Sequence, residues 1–267
     1  MNAGDRFSSG LGFGRWGGAF LVYLAGILLF CVEVPAATTN ELTDAEKEGR
    51  SLAQQLLAQG PATNFVQTGE LNIRISRGKY REIPFRLQTQ LIEGGWREIY
   101  EASGPSNQVR LVVTHEPGRP IGYQLQENPG ASDGAANGAA KTLAGSQIMT
   151  PFADSDFWVA DLGREFFQWP EQRLLKREFK RGCGCRVLES IDPQPSPNGY
   201  SRVVSWIDNE TGGIVQAEGY DARGKLLKEF APKSFKKMNG QWELQEMEIR
   251  NVQSGSRTRL DFDLKTD

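Results

Sequence analysis

Histidine is almost missing from this chain: His115 is the only one in 267 residues. That excludes His-rich metal sites and leaves any histidine-based triad dependent on one residue in a strand-like setting. Cysteine is scarce too, with Cys31, Cys183 and Cys185 the only three. Neither sign of charge dominates. The 31 basic and 33 acidic residues leave a net charge of −2 and no polybasic tract, so the field that draws proteins onto nucleic acid is lacking and nucleic acid is not an expected partner. There is no phosphate-binding loop, no nucleophile elbow and no βαβ alternation, which speaks against a Rossmann-type sheet.

One long hydrophobic run is present, and it lies at the start. Arg6 and Arg15 precede an apolar stretch over residues 17–32, and Val34-Pro35-Ala36 then offers small residues at cleavage-site spacing. Residues 1–37 therefore read as a secretory signal peptide, with an uncleaved membrane anchor as the alternative. Leu28-Leu29-Phe30-Cys31 has the outline of a lipobox, but Phe30 stands where a small residue is required. The expected location is outside the cytoplasm. Residues 38–267, in a chain that is 39% hydrophobic and 24% charged, are enough for one domain with a sizeable core.

Thr43-Asp44-Ala45-Glu46 is a capping-box pattern, and Leu52, Ala53, Leu56 and Leu57 follow at helical spacing until Gly60-Pro61 stops the segment. The period then becomes two. Leu71, Ile73 and Ile75 alternate with Asn72, Arg74 and Ser76, and Ile83, Phe85 and Leu87 with polar neighbours. Further strands are expected over residues 96–102, 109–114, 121–125, 172–180, 185–191, 201–208, 213–220, 225–230, 242–252 and 257–264. Turn signals separate several of them, at Asp208 to Gly212, Asp221 to Gly224, Asn239-Gly240 and Ser254-Gly255. Residues 126–145, rich in Gly, Ala and Asn, carry too little apolar surface to offset ordering and read as a flexible loop. Residues 154–169, with Asp154 and Asp156 at their start and Phe157, Val159, Leu162, Phe166 and Phe167 following, suit a short helix or two that cover something apolar. A sheet of about ten antiparallel strands curls to protect its edges, so the predicted class is α+β, an incomplete antiparallel β-barrel with covering helices.

Few residues suggest chemistry. Cys183-Gly184-Cys185 admits a strained bridge, free thiols or a weak metal pair, and no further ligands accompany it. Asp154 with Asp156 suits a helix start, and Glu246 with Glu248 suits the solvent face of a strand. A hydrolase would need His115 beside Ser103 or Ser106 in a cleft. No catalytic residue, cofactor or metal is expected. What remains is an abundance of apolar residues at alternating strand positions, and the candidate lining of a ligand cavity is Leu71, Ile73, Phe85, Leu87, Leu111, Val113, Val204, Trp206, Trp242, Leu244, Leu260 and Phe262 from strands, with Phe157 and Phe166 from the covering segment.

The C-terminal segments Val204-Ser205-Trp206-Ile207-Asp208, Ala217-Glu218-Gly219-Tyr220-Asp221, Gly224-Lys225-Leu226-Leu227, Gly240-Gln241-Trp242, Met247-Glu248 and Arg257-Thr258-Arg259-Leu260 resemble the outer-membrane lipoprotein-sorting protein family. Ser155-Asp156-Phe157-Trp158-Val159-Ala160-Asp161-Leu162 is similar to that family's short helix. The resemblance covers most of the chain from the N-terminal helix onward, and its motifs are structural punctuation, not catalytic signatures. It implies a half-barrel whose cavity holds lipid or lipoprotein acyl chains in transit across the periplasm, with envelope membrane proteins as further partners. A structural or assembly subunit with a filled core is the rival expectation.

Overall fold

A computed structural model describes residues 42–76, 79–104, 107–129, 138–238 and 241–264. The predicted signal segment, Cys31, Ser106 and the Asn239-Gly240 turn lie outside the described residues. Within Glu41–Asp267, which forms one compact unit, helix α1 (Asp44–Ala58) opens the chain. Its capping box is as the sequence predicts: the Glu46 N–H donates to Thr43 Oγ1 at 3.3 Å, and the Thr43 N–H donates to Glu46 Oε2 at 2.7 Å. Leu52, Ala53 and Leu56 are buried, and Gly49 lets the helix approach so closely that an added Cβ would lie 2.6 Å from the backbone of Arg173.

Thirteen strands follow: β1 (Phe65–Ser76), β2 (Lys79–Ile92), β3 (Gly95–Ser103), β4 (Asn107–His115), β5 (Gly122–Pro129), β6 (Lys141–Leu143), β7 (Glu171–Lys180), β8 (Cys183–Ile191), β9 (Tyr200–Asp208), β10 (Ile214–Asp221), β11 (Leu226–Met238), β12 (Gln241–Asn251) and β13 (Arg257–Phe262). They form one antiparallel sheet in the order β6-β5-β4-β3-β2-β1-β13-β12-β11-β10-β9-β8-β7. Two meanders are thus joined where the first strand meets the last, with Leu71 opposite Leu260 and Ile73 opposite Thr258. The sheet is open, with β6 and β7 as its edges.

Every predicted range holds a strand, and one further strand comes from the predicted loop. Residues 126–145 are not one loop: residues 126–129 complete β5, Lys141–Leu143 pair with it as β6, and residues 130–137 lie outside the described residues. The three-residue β6 is too short for its alternation to register. Strand β11 runs eight residues beyond the predicted 230, because Pro232 and Ser234 sit at register shifts that let a proline stay in a sheet.

Between the meanders, residues 145–169 cross the concave face as a 3-10 turn (Gly145–Ile148), helix α2 (Val159–Gly163) and a second 3-10 turn (Glu165–Gln168). Neither Asp154 nor Asp156 caps α2. The capping position is Trp158, whose N–H donates to Asp161 Oδ2 at 2.8 Å, whereas Asp156 is drawn into the sheet and accepts from Ser256 and, at 2.9 Å, from Thr258. Two packed clusters result. One joins the first meander to Phe152, Phe157 and Val159, and the other joins α1 and Phe166, Phe167 and Trp169 to β8 and β9. Among the described residues, no helix is long and apolar enough to cross a membrane.

Candidate functional site

Where the two clusters meet they do not close. A cavity of about 350 Å³ lies between the concave sheet and residues 157–166. Phe85, Leu87 and Tyr100 form one wall, Val203, Ala217 and Phe230 the opposite one, and Leu244, Met247, Ile249, Leu260 and Phe262 the floor; Phe157, Leu162 and Phe166 roof it. Gly219 on β10 stands directly beneath the Tyr200 ring, where a Cβ would come within 2.5 Å of it, so the glycine gives that ring its place in the wall.

Four charged residues interrupt this apolar lining, and each is differently held. Lys228 is buried, its Nζ donating to the Asp156 carbonyl at 2.7 Å and reaching Asp161 Oδ2 at 3.4 Å while lying 3.4 Å from the centre of the Trp158 ring. Burial pushes its ammonium down to about 8, with Asp161 opposing. Asp161 also accepts the Tyr200 hydroxyl at 2.9 Å. These bonds, with Thr258 on Asp156, fasten the roof to the sheet. Glu98 is paired with His115 Nε2 at 3.0 Å; burial pushes its carboxyl up, but the His115 hydrogen bond and the nearby Arg164 outweigh it and hold the group below the usual range. Arg164 caps α2 in the left-handed region at φ 56° and turns its side chain to the cavity mouth.

Beyond Arg164, Ile214, Phe230 and Leu244 the cavity continues into a wider open vestibule of about 980 Å³, bounded by Phe235 and Trp242 on β11 and β12 and by Arg181 and Cys183 on the facing hairpin.

Of the residues expected to line a cavity, Phe85, Leu87, Phe157, Phe166, Leu244, Leu260 and Phe262 do meet there. Leu71, Ile73, Leu111 and Val113 share the concave face but are fully covered in the packed cluster beside it. Val204 and Trp206 are on the other side of the sheet, with Cys185 and Val187. Strand β9 is buried on both faces, so hydrophobicity could not tell inside from outside, and the cavity-facing residue is Val203. Trp242 is out on the vestibule, 70% exposed. Lys228 and Glu98 were missed, although both stand at inward positions of an apolar alternation: Leu226, Lys228 and Phe230, and Trp96, Glu98 and Tyr100. Cys183 and Cys185 are both free thiols. Burial pushes the Cys185 thiol up, which works against reactivity. Glu246 and Glu248 are joined to Arg259, and Glu248 also to Lys233. Among the described residues there is no group of three or more His, Cys, Asp and Glu that could hold a metal ion.

Of the two hydrolase pairings, His115 with Ser103 is not formed, and Ser106 lies outside the described residues. His115 is stacked on Trp96, its β3 partner, while Ser103 ends the same strand seven residues away, about 23 Å at ~3.3 Å per residue.

Comparison with known proteins follows this geometry. A family described as uncharacterized proteins matches residues 136–265, and no curated protein matches the sequence. An outer membrane lipoprotein-sorting protein domain from Vibrio parahaemolyticus superposes with a TM-score of 0.66 at 22% identity, over 82% of this chain and 92% of that one. This is the lipoprotein-sorting fold. A DUF1329 family protein from Desulfovibrio piger shares it, with a TM-score of 0.63 at 19% identity over 83% of this chain and 92% of the other.

One further group beside the roof is out of its ordinary range. Burial pushes Glu165, which accepts the Tyr123 hydroxyl at 3.0 Å, up to about 7. The folded state then binds a proton that the unfolded state has already released, so this contribution to stability is whole below about pH 4.5 and is lost as pH rises through 7. Glu165→Gln is expected to remove that slope and to stabilise the protein at pH 8 by about 2 kcal/mol, after allowance for solvent screening of a part-exposed group. Urea denaturation at pH 5 and pH 8 measures it; equal pH dependence in both proteins would refute the assignment.

Proposed function

We propose that the chain is an exported carrier that holds lipid or lipoprotein acyl chains in the cavity between its concave sheet and roof, with no covalent step. The observation that supports this is a mostly apolar space of about 350 Å³ between the concave sheet and the roof. A scaffold subunit, the rival reading, would have no use for it. At about 30 Å³ per methylene, close to a water's share of liquid volume, there is room for roughly a dozen. Burying them contributes about 9 kcal/mol, and association costs at least ~4 kcal/mol, leaving a dissociation constant on the order of 0.1 mM before any polar contact. Such a hold is reversible, as a carrier requires. One acyl chain fits inside; the other chains of a lipoprotein anchor would lie along the vestibule.

The test is titration of the delipidated protein with a fluorescent fatty acid and with a diacylated lipopeptide, beside mass spectrometry of organic extracts from the native protein. Saturable one-to-one binding and a co-purified amphiphile are expected. A well-folded sample that binds neither would end the carrier reading.

A further inference from the structure

Phe179 and Trp242 are the two most exposed large hydrophobic side chains among the described residues. Strands β11 and β12 run on past the cavity floor as a hairpin: Leu244 lines the cavity, Phe235 is its cross-strand partner, and Trp242, two residues along, is on the same face opposite Lys237. Nothing among the described residues covers this extension, and Phe235 and Trp242 are 54% and 70% exposed. The β7 and β8 hairpin stands across the vestibule, tied to β11 by Arg181 Nη1 donating to the Pro232 carbonyl at 2.7 Å. Phe179 on that hairpin is 84% exposed. It shares a face with Arg177, which reaches Glu48 of α1, so it too is directed to the concave side.

Cations accompany these rings. Arg164, Arg181 and Lys237 have no carboxylate within ion-pair distance among the described residues, whereas Lys233 nearby is paired with Glu248 at 2.9 Å. Among the described residues the one acid on the vestibule wall, Asp208, is turned back on its own loop, accepting the Thr211 N–H at 3.1 Å and hydroxyl at 2.7 Å. Exposed aromatic rings interleaved with unpaired cations match a bilayer interface, where tryptophan rests at headgroup depth and basic side chains meet lipid phosphate.

We infer that the vestibule rim is a docking surface for an anionic phospholipid bilayer, with Phe179, Phe235 and Trp242 entering the headgroup layer and Arg181 and Lys237 on its phosphates. The rim opens straight into the cavity, so docking would bring an acyl chain to the cavity mouth without passage through water. The surface stands on its own chemistry, whatever occupies the cavity.

The full chain is mixed with vesicles of phosphatidylcholine, plain or doped with phosphatidylglycerol, carrying brominated acyl chains. Trp242 emission is isolated as the difference between the chain and its Trp242→Phe variant, which cancels the other five of the six tryptophans, Trp16 beside the apolar N-terminal run among them. Quenching of Trp242 in the doped vesicles alone is expected. Arg181→Glu combined with Lys237→Glu is expected to weaken it at least tenfold, since each basic side chain near an anionic surface contributes about fivefold. Fluorescent fatty acid binding should be unchanged in Lys237→Glu alone, since Lys237 lines neither the cavity nor the vestibule wall. Trp242 unquenched while the chain sediments with vesicles, equal quenching in neutral vesicles, or indifference to the charge reversal would each overturn the inference. Failure of the parent chain to bind fatty acid would instead overturn the carrier reading alone.

Discussion

Ala217→Phe is expected to lower affinity for a single-chain amphiphile about a hundredfold while leaving the fold intact. Ala217 is on β10, nearly buried, and its methyl faces the cavity. A phenylalanine adds six carbons there, and the space they occupy is what roughly four methylenes of a guest would fill. At about 0.8 kcal/mol each the guest loses ~3 kcal/mol, which is the hundredfold. Because the added ring enters existing space, the usual 1–3 kcal/mol cost of overpacking is largely avoided. Isothermal titration with a fatty acid, beside thermal unfolding, separates the outcomes. Unchanged affinity with unchanged stability would mean that the guest is held elsewhere. Loss of both would mean that the space is not available to a side chain.

Lys228→Ala carries the second large effect, on stability. It removes the ammonium that joins the Asp156 carbonyl, the Asp161 carboxylate and the Trp158 ring, and it leaves Asp161 half-buried without its cation. Breaking a buried pair on one side costs about 3–5 kcal/mol. The lower end applies, because Asp161 keeps the Trp158 N–H at 2.8 Å and the Tyr200 hydroxyl at 2.9 Å. For a domain of this size that is a fall in Tm of about 10 °C. The pH dependence has a definite sign. With its folded pKa near 8 against an ordinary 10.5, Lys228 binds fewer protons folded than unfolded between those values, so in the parent protein its contribution raises stability as pH climbs from 8 to 10.5. The variant should lose that rise, and its weakened roof should exchange a bound fluorophore faster. A Tm within 2 °C of the parent would show that the roof is held by packing alone.

Much of the architecture was legible because antiparallel strands announce themselves by period two. Strand β13 did so most clearly: Thr258, Leu260 and Phe262 are buried, with Arg257, Arg259 and Asp261 between them. Turns at Asp208 to Gly212 and at Asp221 to Gly224 are held as their residues imply, Asp208 accepting from Thr211 and the Gly224 N–H donating to the Asp221 carbonyl at 2.9 Å. The candidate cavity was legible in part. Alternation places a residue on a face but cannot say which stretch of that face stays uncovered. Leu111 and Phe85 look alike in sequence, yet Leu111 is packed solid and Phe85 borders space.

By itself the sequence determined the strand directions, the helix start at Thr43 and the apolar character of one sheet face, since each depends on neighbours within a few residues. Only the tertiary structure decided that β1 closes against β13, that α2 lands where two clusters fail to meet, and that Lys228 and Asp161 become partners 67 residues apart. A cavity is a shortfall of packing between distant segments, and nothing local in a chain records where packing will fall short.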